Sequence, residues 1–399
     1  MTWIFQVSSS INTPCLASID IFCKVIDNFG DIGVCWRLAR DLATHGQAHI
    51  RLWVDDLPSF KKIAPQLNVA LDKQDIQGIQ IQHWGNEIPA ATEAADIVIE
   101  AFACDPPAAY IKLMPHKTRL WLNLEYLSAE PWVESFHAQP SLQNNGIVKY
   151  FFFPGFTEKT GGLLREKNLL QERDQWQSSH PAQKTFLQPY LNEAQILLWE
   201  QGAPVINLFC YPSAPLEELL GALINAAQPV LLLVPEGVAP TLETQLASQL
   251  KAPGTHKEPP FSDLYIIRLP FIEQSQYDRL LWLGDLNFIR GEDSFVRAIW
   301  AGKPFIWHIY EQEANTHLIK LDAWLSSSKT SLPVASLMRA WNKADTSLSF
   351  AALLQTNFFN HENRKKWEAE SLDYCQNLSK NNTLSVSILK IYQQMAQKV

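Results

Sequence analysis

Short runs of β-branched and large apolar residues alternate along this chain with polar segments whose apolar positions recur at helical spacing. That alternation predicts parallel sheets covered by helices. Two series are visible. Ile21 to Ile26, His49 to Val54, Ile79 to Trp84, Ile97 to Phe102 and Leu120 to Leu124 read as the strands of a first domain. Val205 to Tyr211, Val230 to Val234, Tyr265 to Leu269, Leu286 to Ile289 and Pro304 to Ile309 read as those of a second. The fold class is therefore α/β, and 399 residues suffice for two Rossmann-like cores. The polar stretch Glu166 to Pro189 marks the boundary between them. The expected division is 19–180 and 181–365. Residues 1–18 read as a loosely ordered extension, and 366–399 as a helical tail able to cross back onto the first domain.

Charge and cysteine usage narrow the setting. A net charge of −8 with scattered basic residues disfavours nucleic acid as a partner, since the densest cluster, Arg364-Lys365-Lys366, is too short to track a phosphate backbone. Six cysteines without a CxxC pair suit a reducing cytoplasm. No apolar run approaches the ~20 residues that span a bilayer, and no basic residue precedes the first apolar patches, so membrane insertion and secretion are not expected.

Three segments at expected strand C-terminal ends carry candidate chemistry, at the edge where doubly wound sheets bind ligands. The first is Asp27-Asn28-Phe29-Gly30-Asp31-Ile32-Gly33, ahead of a helix opening at Val34. Glycines let such a loop turn and let a ligand approach the backbone. Two carboxylates there suit a cation or a proton better than a phosphate, although for one such loop in isolation an Asx turn at Asp27 and a helix cap at Asp31 are the stronger explanation. The second is Arg290-Gly291-Glu292-Asp293-Ser294-Phe295. Ser294 and free helix N–H groups can hold a diphosphate, Arg290 adds charge, and Glu292 can accept hydrogen bonds from sugar hydroxyls; a capped helix is the alternative. The third, Phe209-Cys210-Tyr211-Pro212, offers a ring to a nucleobase or a hydroxyl to a phosphate, or else packs as core. His308 and His317 lack partners at metal-ligand spacing and read as structural; no metal cluster is expected.

The segments IFCKVIDNFGDIGVCWRLAR (Ile21 to Arg40), VIEAFACD (Val98 to Asp105), WLNLEYLSAE (Trp121 to Glu130), GFTEKTGGLLRE (Gly155 to Glu166), IRGEDSFVRA (Ile289 to Ala298) and AGKPFIWHIY (Ala301 to Tyr310) resemble the protein-arginine rhamnosyltransferases of bacterial elongation factor P. The resemblance implies a GT-B glycosyltransferase, with two facing Rossmann-like domains. It implies inverting transfer of L-rhamnose from dTDP-β-L-rhamnose to an arginine of elongation factor P, with no further cofactor and no metal. By the same resemblance Asp31 is the general base, Asp27 its companion and Glu292 the donor-side carboxylate. Phe209, Tyr211, Gln274, Arg290, Asp293 and Ser294 would bind the donor, Gln274 at its thymine, while Asn28, Phe29, Gly30 and Gly33 complete the first loop.

A protonated guanidinium has delocalised lone pairs, so its attack on an anomeric carbon calls for a carboxylate that orients it and accepts a proton. Two rivals remain: a glycosyltransferase with a small-molecule or lipid acceptor, and a non-catalytic module binding a nucleotide sugar or translation factor. A dehydrogenase is weaker still, because no GxGxxG follows the first strand.

Overall fold

The computed structural model describes residues 17–26, 29–45, 49–85, 87–251, 263–345, 347 and 349–397. Its first sheet contains β1 (Ser18–Cys23), β2 (His49–Val54), β3 (Lys73–Ile76), β4 (Ile79–His83), β5 (Ile97–Ala101), β6 (Leu120–Leu124), β7 (Pro140–Leu142) and β8 (Val148–Phe152). They lie in the order β3-β4-β2-β1-β5-β6-β8-β7, parallel except where β3 and β7 pair antiparallel at the two edges. The second sheet, β9 (Val205–Leu208), β10 (Val230–Pro235), β11 (Leu264–Leu269), β12 (Leu286–Arg290) and β13 (Phe305–His308), is wholly parallel in the order β11-β10-β9-β12-β13. Both orders reverse direction beside the first strand of their sheet, which opens a crevice at the C-terminal edge.

The first strand shows how sequence becomes layer. In β1, Ile19, Ile21 and Cys23 enter one core with Trp36, Leu38 and Leu52, while Phe22 faces the other way, onto Trp53, Trp84 and Tyr110. Asp20 shares that second face, fully buried, and is matched there by a two-pronged ion pair from Arg51 (Nε–Oδ1 2.6 Å, Nη2–Oδ2 2.5 Å) and by the Tyr110 hydroxyl. An unmatched carboxylate could not stay charged at that depth.

The polar stretch from Glu166 onward folds into two short helices, Leu169–Gln177 and His180–Leu187. Leu187 packs with Leu231, Leu233 and Leu269 of the second sheet. The C-terminal tail divides. Helix His361–Leu378 places Trp367, Cys375 and Leu378 in the second core, whereas helix Leu384–Ala396 places Leu384, Ile388, Leu389 and Tyr392 in the first. The chain thus passes between the halves at 162–164 and again at 382–384. The two passes touch: the Leu384 amide donates to the Leu163 carbonyl at 3.0 Å.

Gly162 sits at this crossing with φ +74°, and a Cβ there would lie 2.1 Å from the Asn382 carbonyl oxygen. Both the backbone conformation and the space demand glycine. Gly162→Ala is expected to destabilise the protein by about 2 kcal/mol or more, read as a fall in the denaturant midpoint. Unchanged stability would show that the two passes can separate freely.

Candidate functional site

The loop leaving β1 is shaped by its own hydrogen bonds. The Val25 amide donates to Asp55 Oδ1 and the Ile26 amide to Asp31 Oδ2, each at 2.9 Å, which turns the backbone out of the ladder. For this reason the strand closes at Cys23, three residues before the apolar run ends. Asp31, only 3% exposed, lies in the first turn of helix Gly30–Thr44, where the helix dipole favours a carboxylate. The same helix corrects the reading of two glycines. Gly30 and Gly33 are helical, the Gly33 amide donating to the Phe29 carbonyl at 2.9 Å, and neither has a positive φ. Gly33 instead marks close approach of the two halves: its carbonyl accepts from Gln274 Nε2 at 3.0 Å, and a Cβ on it would stand 3.5 Å from Asp293 Oδ2. Asp27 and Asn28 lie outside the described residues.

From the second sheet, β12 ends at Arg290 and helix Glu292–Ala301 begins two residues later. Gly291 makes that turn with φ +70° and ψ −174°, a region open to glycine, and its carbonyl accepts from Trp307 Nε1 at 3.1 Å. The Arg290 guanidinium lies 4.3 Å from the centroid of Phe209 and 5.0 Å from that of Tyr211, and Nη1 donates to the Cys210 carbonyl at 3.0 Å. A cation is thereby fixed at the strand edge by aromatic faces rather than by a carboxylate.

The first turn of this helix contains two acids, a poor start for an anion site until their partners are traced. Glu292 Oε2 accepts from the Leu127 amide at 2.9 Å, and Asp293 pairs with Arg37 Nε at 3.1 Å. Both partners belong to the first half. Ser294, buried, neighbours the Tyr277 phenol, whose pKa burial pushes above its usual range while the Ser294 hydroxyl pulls it down.

Between the strand edges opens a cleft of about 410 Å³. Phe29 and Gly30 line it from one side, and Phe209, Tyr211, Gln274, Arg290 and Glu292 to Ser294 from the other. Three loops distant in sequence thus meet in one cavity, with Asp31 in the helical turn that Gly30 opens. The structure adds Phe271, stacked edge-on to Phe29 at 5.7 Å, as well as Lys62 and Tyr277. Tyr277 lies one helical turn after Gln274, so helical spacing would have revealed it. Lys62 and Phe271 are isolated in the sequence and gave no such signal.

His308 is a prop of the site. Its Nδ1 accepts from the Tyr211 amide at 3.2 Å, which requires a neutral ring, and burial pushes its pKa down to about 4 from an ordinary 6.5. His317 likewise accepts, from the Gln312 amide at 3.2 Å. Because folding depresses the pKa of His308, the unfolded chain takes up its proton first as pH falls. Stability contributed by the neutral ring is fully present above pH 6.5 and is lost from there down through about pH 4. His308→Gln should flatten the fall in urea midpoint across this window; an unchanged slope would show that His308 does not carry it.

The comparisons with known proteins bear on this cleft. A family model described as Elongation-Factor P (EF-P) rhamnosyltransferase EarP matches residues 19–393. A protein-arginine rhamnosyltransferase of Pseudomonas aeruginosa is 48% identical over 338 residues, covering 82% of this chain and 87% of that protein. One from Neisseria meningitidis is 39% identical over 316 residues, 76% of this chain and 77% of that protein. A solved structure described as "Structural basis for EarP-mediated arginine glycosylation of translation elongation factor EF-P" superposes with a TM-score of 0.62 at 32% identity, over 95% of this chain and 99% of that one. The trehalose-6-phosphate synthase OtsA, at 10% identity and a TM-score of 0.51 over 96% and 99% of the two chains, shares the GT-B fold alone.

Proposed function

The chain belongs to the family of elongation factor P rhamnosyltransferases, and from that premise we propose that it transfers L-rhamnose from dTDP-β-L-rhamnose to an arginine side chain of elongation factor P, with inversion and without a metal ion. The observation that carries the reading is the cleft itself, into which the β1 loop and the Arg290–Ser294 loop open from opposite sides. The first-sheet half receives the acceptor and the second-sheet half the donor. Free thiols at Cys23, Cys35, Cys104, Cys210 and Cys375 fit a reducing cytoplasm, where such an acceptor works.

In this mechanism Asp31, with Asp27 beside it in sequence, orients the acceptor guanidinium. One of its nitrogens attacks the anomeric carbon as the bond to the diphosphate breaks on the opposite face, and Asp31 takes the proton that the nitrogen loses. The transition state has oxocarbenium character, as in glycosidases, and charge accumulates on the departing dTDP. Amides of the Glu292–Ala301 helix, the Ser294 hydroxyl and the Arg290 guanidinium meet that charge, the service a divalent cation performs in other glycosyltransferases. Glu292 addresses the sugar from the donor side. Phe209 and Tyr211 hold the base. Gln274 Nε2 donates to the Gly33 carbonyl and Oε1 accepts from Arg40 Nη2 at 3.0 Å, so contact with the thymine edge exchanges one of these partners for the donor.

The decisive experiment is intact-mass spectrometry of elongation factor P after incubation with the protein and dTDP-L-rhamnose. A gain of one deoxyhexose, mapped to arginine and absent with Asp31→Asn, is expected. No gain with folded protein and active donor would move the reading to a different acceptor or to a binding role, and normal turnover by Asp31→Asn would remove it as the base. Glu292→Ala should lower kcat/KM by on the order of 100-fold. Tyr211→Ala should weaken dTDP binding by roughly tenfold or more, the scale of one lost base stack, and an unchanged titration would exclude that role.

A further inference from the structure

Arg37 lies on the Gly30–Thr44 helix, one turn beyond Gly33, and its side chain is 1% exposed. Every charged partner of its guanidinium belongs to the other half or to the segment leading into it. Nη1 and Nη2 grip Asp278 at 3.1 and 3.2 Å, Nε meets Asp293 at 3.1 Å, Nη2 donates to the Gln274 carbonyl at 3.2 Å, and Glu166 stands 3.5 Å from Nη1. Arg297, 2% exposed, completes the cluster with two bonds to Asp278 (2.8 and 2.7 Å) and one to Glu166 (2.6 Å). Asp278 and Glu166 therefore retain a cation if Arg37 is withdrawn. Asp293 is the carboxylate that loses its guanidinium.

That asymmetry gives Arg37 a task. Asp293 directly follows Glu292, and Arg37 sits six residues along the same helix from Asp31. We infer that Arg37 is a positioning residue which, by inserting into the Asp278–Asp293–Glu166 socket, holds the helix bearing Asp31 in register with the helix bearing Glu292. The inference rests on the transfer reaction proposed above. Its physical content is that the acceptor-side and donor-side groups face each other only while the socket is filled. Opening the cleft draws a buried guanidinium away from Asp278, Asp293 and Glu166, and with it breaks the bonds of Gln274 to the Gly33 carbonyl and Arg40 and that of Glu292 to the Leu127 amide, which also join the halves.

The test compares Arg37→Gln and Arg37→Lys with the unaltered protein in three measurements: kcat at saturating dTDP-L-rhamnose, dTDP affinity by titration, and radius of gyration by small-angle scattering. Arg339→Gln, which breaks only the exposed pair with Asp322, serves as the control expected to leave all three unchanged. For Arg37→Gln, kcat should fall by on the order of 100-fold through misplacement alone, while dTDP affinity changes by less than about threefold and the radius of gyration rises. Arg37→Lys keeps the charge but cannot span Asp278 and Asp293 together, and should recover part of kcat. Unchanged kcat in a folded Arg37→Gln protein would overturn the inference. So would equal losses of kcat and dTDP affinity at constant radius, which would make Arg37 a donor-binding residue. Should Arg37→Gln fail to fold, wild-type kcat in Arg37→Lys would overturn it equally. If the unaltered protein does not modify elongation factor P, the functional reading falls, and scattering still decides whether Arg37 closes the two halves.

Discussion

Two guanidiniums and three carboxylates meet where the two halves of the molecule face each other, and the two arginines are almost entirely removed from water. Burying such groups costs more than their attraction returns unless the geometry is close and every charge is matched. Here the match requires both halves. Burial alone would raise the Glu166 carboxyl, but Arg297 and Arg37 outweigh it and hold its pKa at about 2, against an ordinary 4.5. With 28% of its side chain exposed, Glu166 keeps a path to solvent that Asp278, at 9%, does not. The cluster therefore contributes little to net stability for its size. What it supplies is a defined relation between two helices, since a displaced guanidinium leaves buried carboxylates short of a partner.

The same constraint resolves an apparent contradiction at the donor side. A helix N-terminus attracts anions, yet this one begins with Glu292 and Asp293. Both carboxylates bond to groups from the opposite half, the Leu127 amide and the Arg37 guanidinium, so their charge is met before a ligand enters. Arg290 remains directed along the faces of Phe209 and Tyr211 without a carboxylate partner among the described residues. The surface offered to a diphosphate is consequently less acidic than its sequence suggests.

Most of the parallel framework was legible in the chain because central parallel strands are buried on both faces and read as apolar runs. β2 and β6 match their runs to the residue. β3 and β7 did not register, being short antiparallel edges with exposed polar positions, and β8 escaped notice although its residues are largely apolar. The strand–loop–helix logic located the cleft, but it misjudged Gly30 and Gly33, since glycine at a loop–helix junction signals either a turn or a close approach and composition does not distinguish them. Arg37 was invisible for a different reason. It reads as one more solvated charge on an amphipathic helix, and its burial is created by residues some 240 positions away.

The double crossing beside Gly162 sets an order on the chain's assembly. The first-sheet core is closed by Leu384, Ile388, Leu389 and Tyr392, residues that a ribosome adds only after the whole second half has been made. The half that emerges first is therefore completed last, and until then it presents an unsealed apolar face. The second half, whose core contacts are drawn almost wholly from residues 163 to 378 with Leu127 and Phe156, has no comparable wait. Long-range closure of this kind slows folding by the loop entropy it must overcome, and it makes the nascent N-terminal half a natural client for whatever shields apolar surface during synthesis.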